Sequence, residues 1–132
     1  MTLVDSKVIL DLATADEPWL DWSSVHLTQA ADSGPVVINP VIFAECAYGY
    51  ANAADLFSDL PAGMELLPLP YEAAFLAGKA FASYRRLGGK RERILGDFYV
   101  GAHAQVAGLT LLTRDATRYR TYFPKVKLVA PG

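Results

Sequence analysis

"LGDFYVGAHAQVAGLTLLTRD", residues 95–115, sets an acid at each side of an otherwise apolar stretch. Asp97 opens a helix-like run that closes at Gly108, a C-cap residue, and Asp115 follows the strand-like "LTLLT" (109–113). A helix leading straight into a short apolar strand is part of an alternating pattern that recurs along the chain. "MTLV" (1–4), "PVVI" (35–38) and "VKLV" (126–129) read as further buried strands, with "ELLPL" (65–69) a weaker one. Between them lie segments of helical length. Residues 18–32 have Pro18 as an early helix residue and Trp19, Trp22 and Leu27 roughly on one side. "INPVIFAECAYGYANA" (38–53) starts a helix with Asn39 as N-cap and Pro40 in the first position. Helices are also expected over 71–86, 97–108 and 115–123, the last stopped near Pro124. Short apolar strands alternating with helices predict an α/β domain with a parallel sheet covered on both faces, a single domain over 1–132 with no repeat and no linker.

The chain has 132 residues, of which 52% are apolar, enough for a sizeable core and too many for disorder as the main state. No apolar run approaches the roughly 18–20 residues needed to cross a bilayer. The first residues, "MTLVDSKVILDLATADEP", carry acids where a signal peptide needs a basic start, which predicts a cytoplasmic protein with no membrane association. The single cysteine, Cys46, has no internal disulfide partner and is expected to be buried. The net charge of −2 hides an asymmetry: residues 1–66 hold ten acids and one Lys, and residues 67–132 hold four acids and eleven Lys or Arg. A basic face built from the second half is therefore compatible with a polyanionic partner despite the acidic average.

Ligands of parallel α/β sheets bind beyond the carboxyl ends of the strands. Asp5 lies just past the first strand, Asp115 just past "LTLLT", Asp97 at the head of the preceding helix, and Glu45 six residues into the helix that follows "PVVI". Four carboxylates meeting at one sheet edge repel one another, and a hard divalent cation relieves that repulsion. Mg²⁺ and Mn²⁺ favour oxygen ligands and keep waters, whereas zinc is a poor candidate because His26 and His103 stand far apart and the cysteine is alone.

"VDSKVILD" (4–11), "INPVIFAE" (38–45) and "GDFYVGAHAQVAGLTLLTRD" (96–115) together resemble the PIN-domain ribonucleases, and among them the VapC-type toxins of bacterial toxin–antitoxin pairs. The likeness covers nearly the whole chain and rests on four acids in the right order: Asp5, Glu45, Asp97 and Asp115, with Thr113 beside the last. It implies a three-layer α/β/α fold with a short, mostly parallel sheet, and a Mg²⁺- or Mn²⁺-dependent endoribonuclease that hydrolyses RNA by a metal-activated water. It also implies a cognate antitoxin that blocks the site. On that likeness Asp5 and Asp97 bind the metal most directly, Asp115 helps to bind it or holds a second ion, and Glu45 binds or orients the water. Lys7 departs from the family, which more often has a small polar residue there.

Lys7, Arg91, Arg93, Thr113 and Arg114 are the expected substrate contacts. Arg91 and Arg93 belong to "YRRLGGKRER" (84–93), five cations around a Gly-Gly turn and suited to an RNA backbone. Arg118 and Arg120 read as the polar side of the last helix, Tyr119, Tyr122 and Phe123 as core or interface, and His103 as structural. Gly101, one turn after Asp97, stands where a side chain would crowd the metal or a neighbouring helix. A mean hydropathy of +0.20 leaves apolar surface for a homodimer and an antitoxin groove. The competing reading is a non-catalytic PIN-fold module for RNA or protein, in which Lys7 neutralises the acidic site.

Overall fold

A computed structural model describes residues 1–89 and 95–132. Strands β1 (Thr2–Val4), β2 (Val36–Ile38), β3 (Glu65–Leu66), β4 (Thr110–Leu112) and β5 (Leu128–Val129) form one sheet in the order β3-β2-β1-β4-β5. Each of their pairings is parallel, so the sheet is wholly rather than mostly parallel. Every residue of β1 and β2 is buried, as expected of central strands covered on both faces. Leu3, Val4, Val37, Ile38, Leu111 and Leu112 are fully buried. Each such side chain contributes roughly 1.5–3 kcal/mol by leaving water, which is how strands of three residues hold a sheet together.

The helices are α1 (Ser6–Thr14), α2 (Leu20–Ser33), α3 (Pro40–Cys46), α4 (Ala53–Asp59), α5 (Tyr71–Arg86), α6 (Leu95–Ala107) and α7 (Thr117–Tyr122). Their boundaries depart from the sequence reading for local reasons. Pro18 lies in the turn before α2 instead of inside the helix. The stretch after Asn39 is not one helix: α3 stops at Cys46, passes through a short 3₁₀ turn at Ala47–Gly49, and restarts as α4. The restart is set by Asn52, whose side chain accepts the Asp55 N–H at 3.0 Å and caps the new helix. α6 begins two residues before Asp97, and α7 begins two residues after Asp115. No helix among the described residues is long and apolar enough to cross a membrane.

The sheet grows outward from β1 through β2 to β3, then the chain crosses back to lay β4 on the other side of β1. The carboxyl ends of β1 and β4 therefore flank the switch point where such sheets open a crevice. Backbone pairing runs to the rim: Asp5 N–H donates to the Leu112 carbonyl at 2.9 Å, and Thr113 N–H to that of Val129 at 3.0 Å. Asp5 and Thr113 are thus neighbours by strand register.

Phe98, fully buried on α6, lies within 5.2–6.1 Å, centroid to centroid, of Phe81, Tyr84, Tyr122 and Phe123. This cluster ties α5, α6 and α7 together and fixes the start of α6, where Asp97 sits. Gly101 permits the closest approach within it, because a Cβ there would stand 2.3 Å from the Phe123 ring. The crowding anticipated at Gly101 is with this neighbour from the α7 side. Phe123 is buried and has no room to yield. Overpacking of this kind costs about 1–3 kcal/mol, more than the roughly 1 kcal/mol that alanine gains over glycine in a helix. Gly101→Ala is therefore expected to lower the unfolding free energy by up to about 2 kcal/mol, read from the midpoint of a urea titration.

Candidate active site

Asp5 is the residue around which the site is built. It caps α1, one carboxylate oxygen accepting the Ser6 N–H at 2.9 Å. The other accepts the Thr113 hydroxyl at 2.8 Å and the Tyr119 hydroxyl at 3.0 Å. Three donors from α1, the end of β4 and α7 hold a carboxylate that is only 9% exposed. They fix its orientation, as partners of a metal-binding group commonly do.

Glu45 approaches from α3, one residue before that helix ends. Its Oε1 is buried and has no hydrogen-bond partner among the described residues. Burial, followed by the charges of Asp5 and Asp97, pushes its pKa up to about 7, while the Ser6 side chain and Lys7 pull the other way. Gly96 makes room for it: a Cβ there would lie 2.5 Å from Glu45 Oε2. Asp97, in the first turn of α6, has its pKa raised by burial and then by Asp5, with Arg118 opposing the rise. Its Oδ2 accepts the Arg118 Nη1–H at 3.1 Å. Asp115 is exposed at the rim, one oxygen accepting the Thr117 N–H at 3.1 Å, and its charge is felt by Asp97. Asp5 enters the electrostatics of both Glu45 and Asp97, Asp97 enters that of Glu45, and Asp115 joins through Asp97. The four acids singled out in the sequence occupy one neighbourhood.

The donors are all carboxylate oxygens, the chemistry Mg²⁺ and Mn²⁺ require. An unpartnered buried oxygen beside two more acids is a site short of positive charge, so the residues fit a hard divalent cation. They do not form a finished cage: no three acidic, histidine or cysteine side chains among the described residues are grouped to hold one ion. The hydrogen bonds explain why, since Asp5 is turned onto Ser6, Thr113 and Tyr119, and Asp97 onto Arg118.

The expected substrate contacts separate into different roles. Lys7 is exposed and lines an open cavity of about 380 Å³ with Glu45, Tyr48 and Arg114. Arg114 is committed elsewhere: it donates to Asp11 at 2.8 Å, lies 3.8 Å from Asp16 and stacks over Trp19 at 4.4 Å. Asp11 is buried and also accepts the Ser23 hydroxyl at 2.6 Å. That pair anchors the loop after β4 to α1 and α2. Thr113 is buried and gives its hydroxyl to Asp5, a positioning role rather than a reach for substrate. Arg91 and Arg93 lie outside the described residues.

Four functional neighbours were not legible as such. Tyr119 and Arg118 read as core and as helix surface, although their spacing of four and three residues from Asp115 puts them one turn along the same chain segment. Ser6 and Asp11 gave no separate signal. His103 is buried, its Nδ1 accepting the Asn39 amide N–H at 3.0 Å while Asn39 Oδ1 caps α3. Burial lowers its pKa, in keeping with a neutral structural imidazole. The Cys46 thiol, buried and beside Glu45 and Asp5, is pushed up to about 12 and is no nucleophile.

The PIN domain profile matches residues 2–124, nearly the full length and across all four acids. The chain belongs to the PIN domain family. Among solved structures this PIN domain is similar to VapBC2 from Rickettsia felis, bound to a DNA fragment from its promoter, with a TM-score of 0.73 at 17% identity over 98% of this chain and 97% of that one. It is also similar to a toxin–antitoxin complex from Klebsiella pneumoniae (TM-score 0.62, 20% identity, 100% and 98% covered). A third is VapC20 of Mycobacterium tuberculosis, a Sarcin-Ricin loop cleaving toxin (0.63, 15%, 96% and 99%). No curated protein matches the sequence significantly.

The raised Glu45 pKa has a consequence for stability without metal. Between the ordinary glutamate value of 4.5 and about 7, Glu45 in the folded PIN domain holds a proton that it has released in the unfolded chain. Glu45 therefore contributes less stability as pH rises through that window, while buried His103, whose pKa is lowered, works in the opposite sense. Urea titrations in EDTA at a series of pH values are expected to show stability declining more steeply with pH in the wild type than in Glu45→Gln.

Proposed function

We propose that this PIN domain is a Mg²⁺- or Mn²⁺-dependent endoribonuclease, the toxin of a type II toxin–antitoxin pair acting in the cytoplasm. The observation that carries this reading is the buried Oε1 of Glu45, without a partner among the described residues, on a carboxylate that feels the charges of Asp5 and Asp97. Asp5 and Asp97 would hold the ion, with Asp115 at the rim as a further ligand. When bound, the ion supplies positive charge against the acids and the phosphate and makes water a better nucleophile. Glu45 would accept a hydrogen bond from a water through its unpartnered Oε1 and orient it. Thr113 and Tyr119 keep the Asp5 carboxylate in one rotamer, and the Asp11–Arg114 pair holds the loop that carries Asp115.

Lys7 is the described cation best placed for an RNA phosphate at the cavity beside Glu45. Arg91 and Arg93 are proposed to extend that contact along the backbone. Lys7 makes no ion pair with a described residue but lowers the Glu45 pKa through its charge, so the non-catalytic reading, in which it replaces the metal, stands as the alternative that metal titration separates. Exposed Tyr48, Tyr71, Phe75 and Leu87 leave apolar surface for a cognate antitoxin and a second copy of the chain. The toxin assignment draws further support from the VapC-type neighbours.

The test is cleavage of total RNA with Mg²⁺, with Mn²⁺ and with EDTA. Wild-type protein is expected to cleave with either metal and to stop in EDTA, and Asp97→Asn is expected to fall to background. Equal cleavage by the two proteins would refute the assignment. Tyr119→Phe removes only the hydroxyl on Asp5, and activity is expected to drop about 10–100-fold with the fold retained by circular dichroism.

A further inference from the structure

Arg118 reaches directly into the acidic cluster. Its Nη1 donates to Asp97 Oδ2 at 3.1 Å, and its guanidinium lies 5.5 Å from the centre of the Tyr84 ring. The two charged side chains are 29% and 34% exposed, so water screens the pair and it can exchange. Arg118 is three residues beyond Asp115 on the short helix that also presents Tyr119 to Asp5. The guanidinium thus stands where positive charge is most needed, on a carboxylate that the proposed ion would also use. A monovalent guanidinium and a small divalent ion repel each other and cannot both take full advantage of Asp97. The ion has twice the charge and a closer approach. Tyr84 keeps the guanidinium at the site when it leaves Asp97, with several N–H donors in a planar fork suited to a phosphate.

Resting on the nuclease reading above, we infer that Arg118 is a built-in counter-ion of Asp97. It competes with the divalent metal for that carboxylate, and metal binding hands its guanidinium to a phosphate of the RNA. In the metal-free protein Arg118 satisfies Asp97 and keeps the carboxylates from meeting. In the loaded protein it becomes a substrate contact. The arginine therefore couples the two binding events: metal makes the RNA site complete, and RNA draws away the metal's competitor.

The decisive measurement is Mn²⁺ affinity without RNA, by titration calorimetry, for wild type, Arg118→Gln, Arg118→Lys and Asp97→Asn. Losing the competitor is expected to tighten Mn²⁺ binding about fivefold in Arg118→Gln. Arg118→Lys, which keeps the charge, is expected to stay near wild type, and Asp97→Asn to bind far more weakly. If Arg118→Gln binds Mn²⁺ no better than wild type while Asp97→Asn still loses it, Arg118 only orients Asp97 and the inference falls, leaving the metal site intact. If wild type binds no Mn²⁺, the nuclease reading falls and takes the inference with it. The transfer to phosphate is read separately, by the salt dependence of single-stranded RNA binding in a Glu45→Gln background. With Mn²⁺ present, Arg118→Gln is expected to make the log–log slope shallower by about 0.7, and in EDTA to leave it unchanged. A slope that is the same in both conditions overturns the transfer.

Discussion

Asp5, Glu45 and Asp97 are partly withdrawn from water and each raises the cost of ionising a neighbour, so gathering them works against folding unless something offsets the charge. Much of the local architecture is arranged around that repulsion. Asp5 is surrounded by three donors, Asp97 is met by Arg118, and Glu45 keeps a buried oxygen without a partner among the described residues. The offset is thus incomplete at one atom, on a carboxylate that feels the charges of both Asp5 and Asp97. A site left short of positive charge in this way is poised for a cation, and the family to which the chain belongs gives that state a functional sense.

The framework that imposes this arrangement lies outside the acids themselves. The crossing back from β3 to β4 brings the ends of β1 and β4 side by side, and strand register alone then puts Thr113 against Asp5. On the other side, Phe98 and its aromatic neighbours lock α6 against α5 and α7. Asp97 precedes Phe98 by one residue, so the packing of a hydrophobic cluster sets the position of a carboxylate. Gly96 and Gly101 each leave room on this helix for a close neighbour, one for Glu45 and the other for Phe123. The carboxylate cluster and the aromatic core meet on α6 for this reason, and substitutions there reach both.

The same framework sorts the basic residues. Arg114 and Arg118 are four residues apart and equally charged, yet one is fastened to buried Asp11 and Trp19 and the other to half-exposed Asp97. The first is a fixed strut between loop and helices. The second is held by a contact that can be exchanged. Lys7, two residues from Asp5, faces the cavity without an ion pair to a described residue. Sequence position gives no hint of these differences, because the partner of each cation comes from a distant part of the chain.

Five short apolar segments, most of the helices between them and four acids in order were legible in the linear sequence, whereas α1 was not among the expected helices. Each is encoded locally, by apolar runs, by caps such as Asn39 and Gly108, and by acids at the joints of strands and helices. The break between α3 and α4 was not, although Asn52 carried the capping signal, since the apolar run continues past it. Only the tertiary structure decided that Tyr119 belongs to Asp5, that Arg118 belongs to Asp97, that Thr113 positions and Arg114 braces. Those roles depend on hydrogen-bond geometry between residues up to 114 positions apart. Hydrophobic patterning along a chain records which face is buried, but it does not record which polar atom finds which partner once the faces have closed.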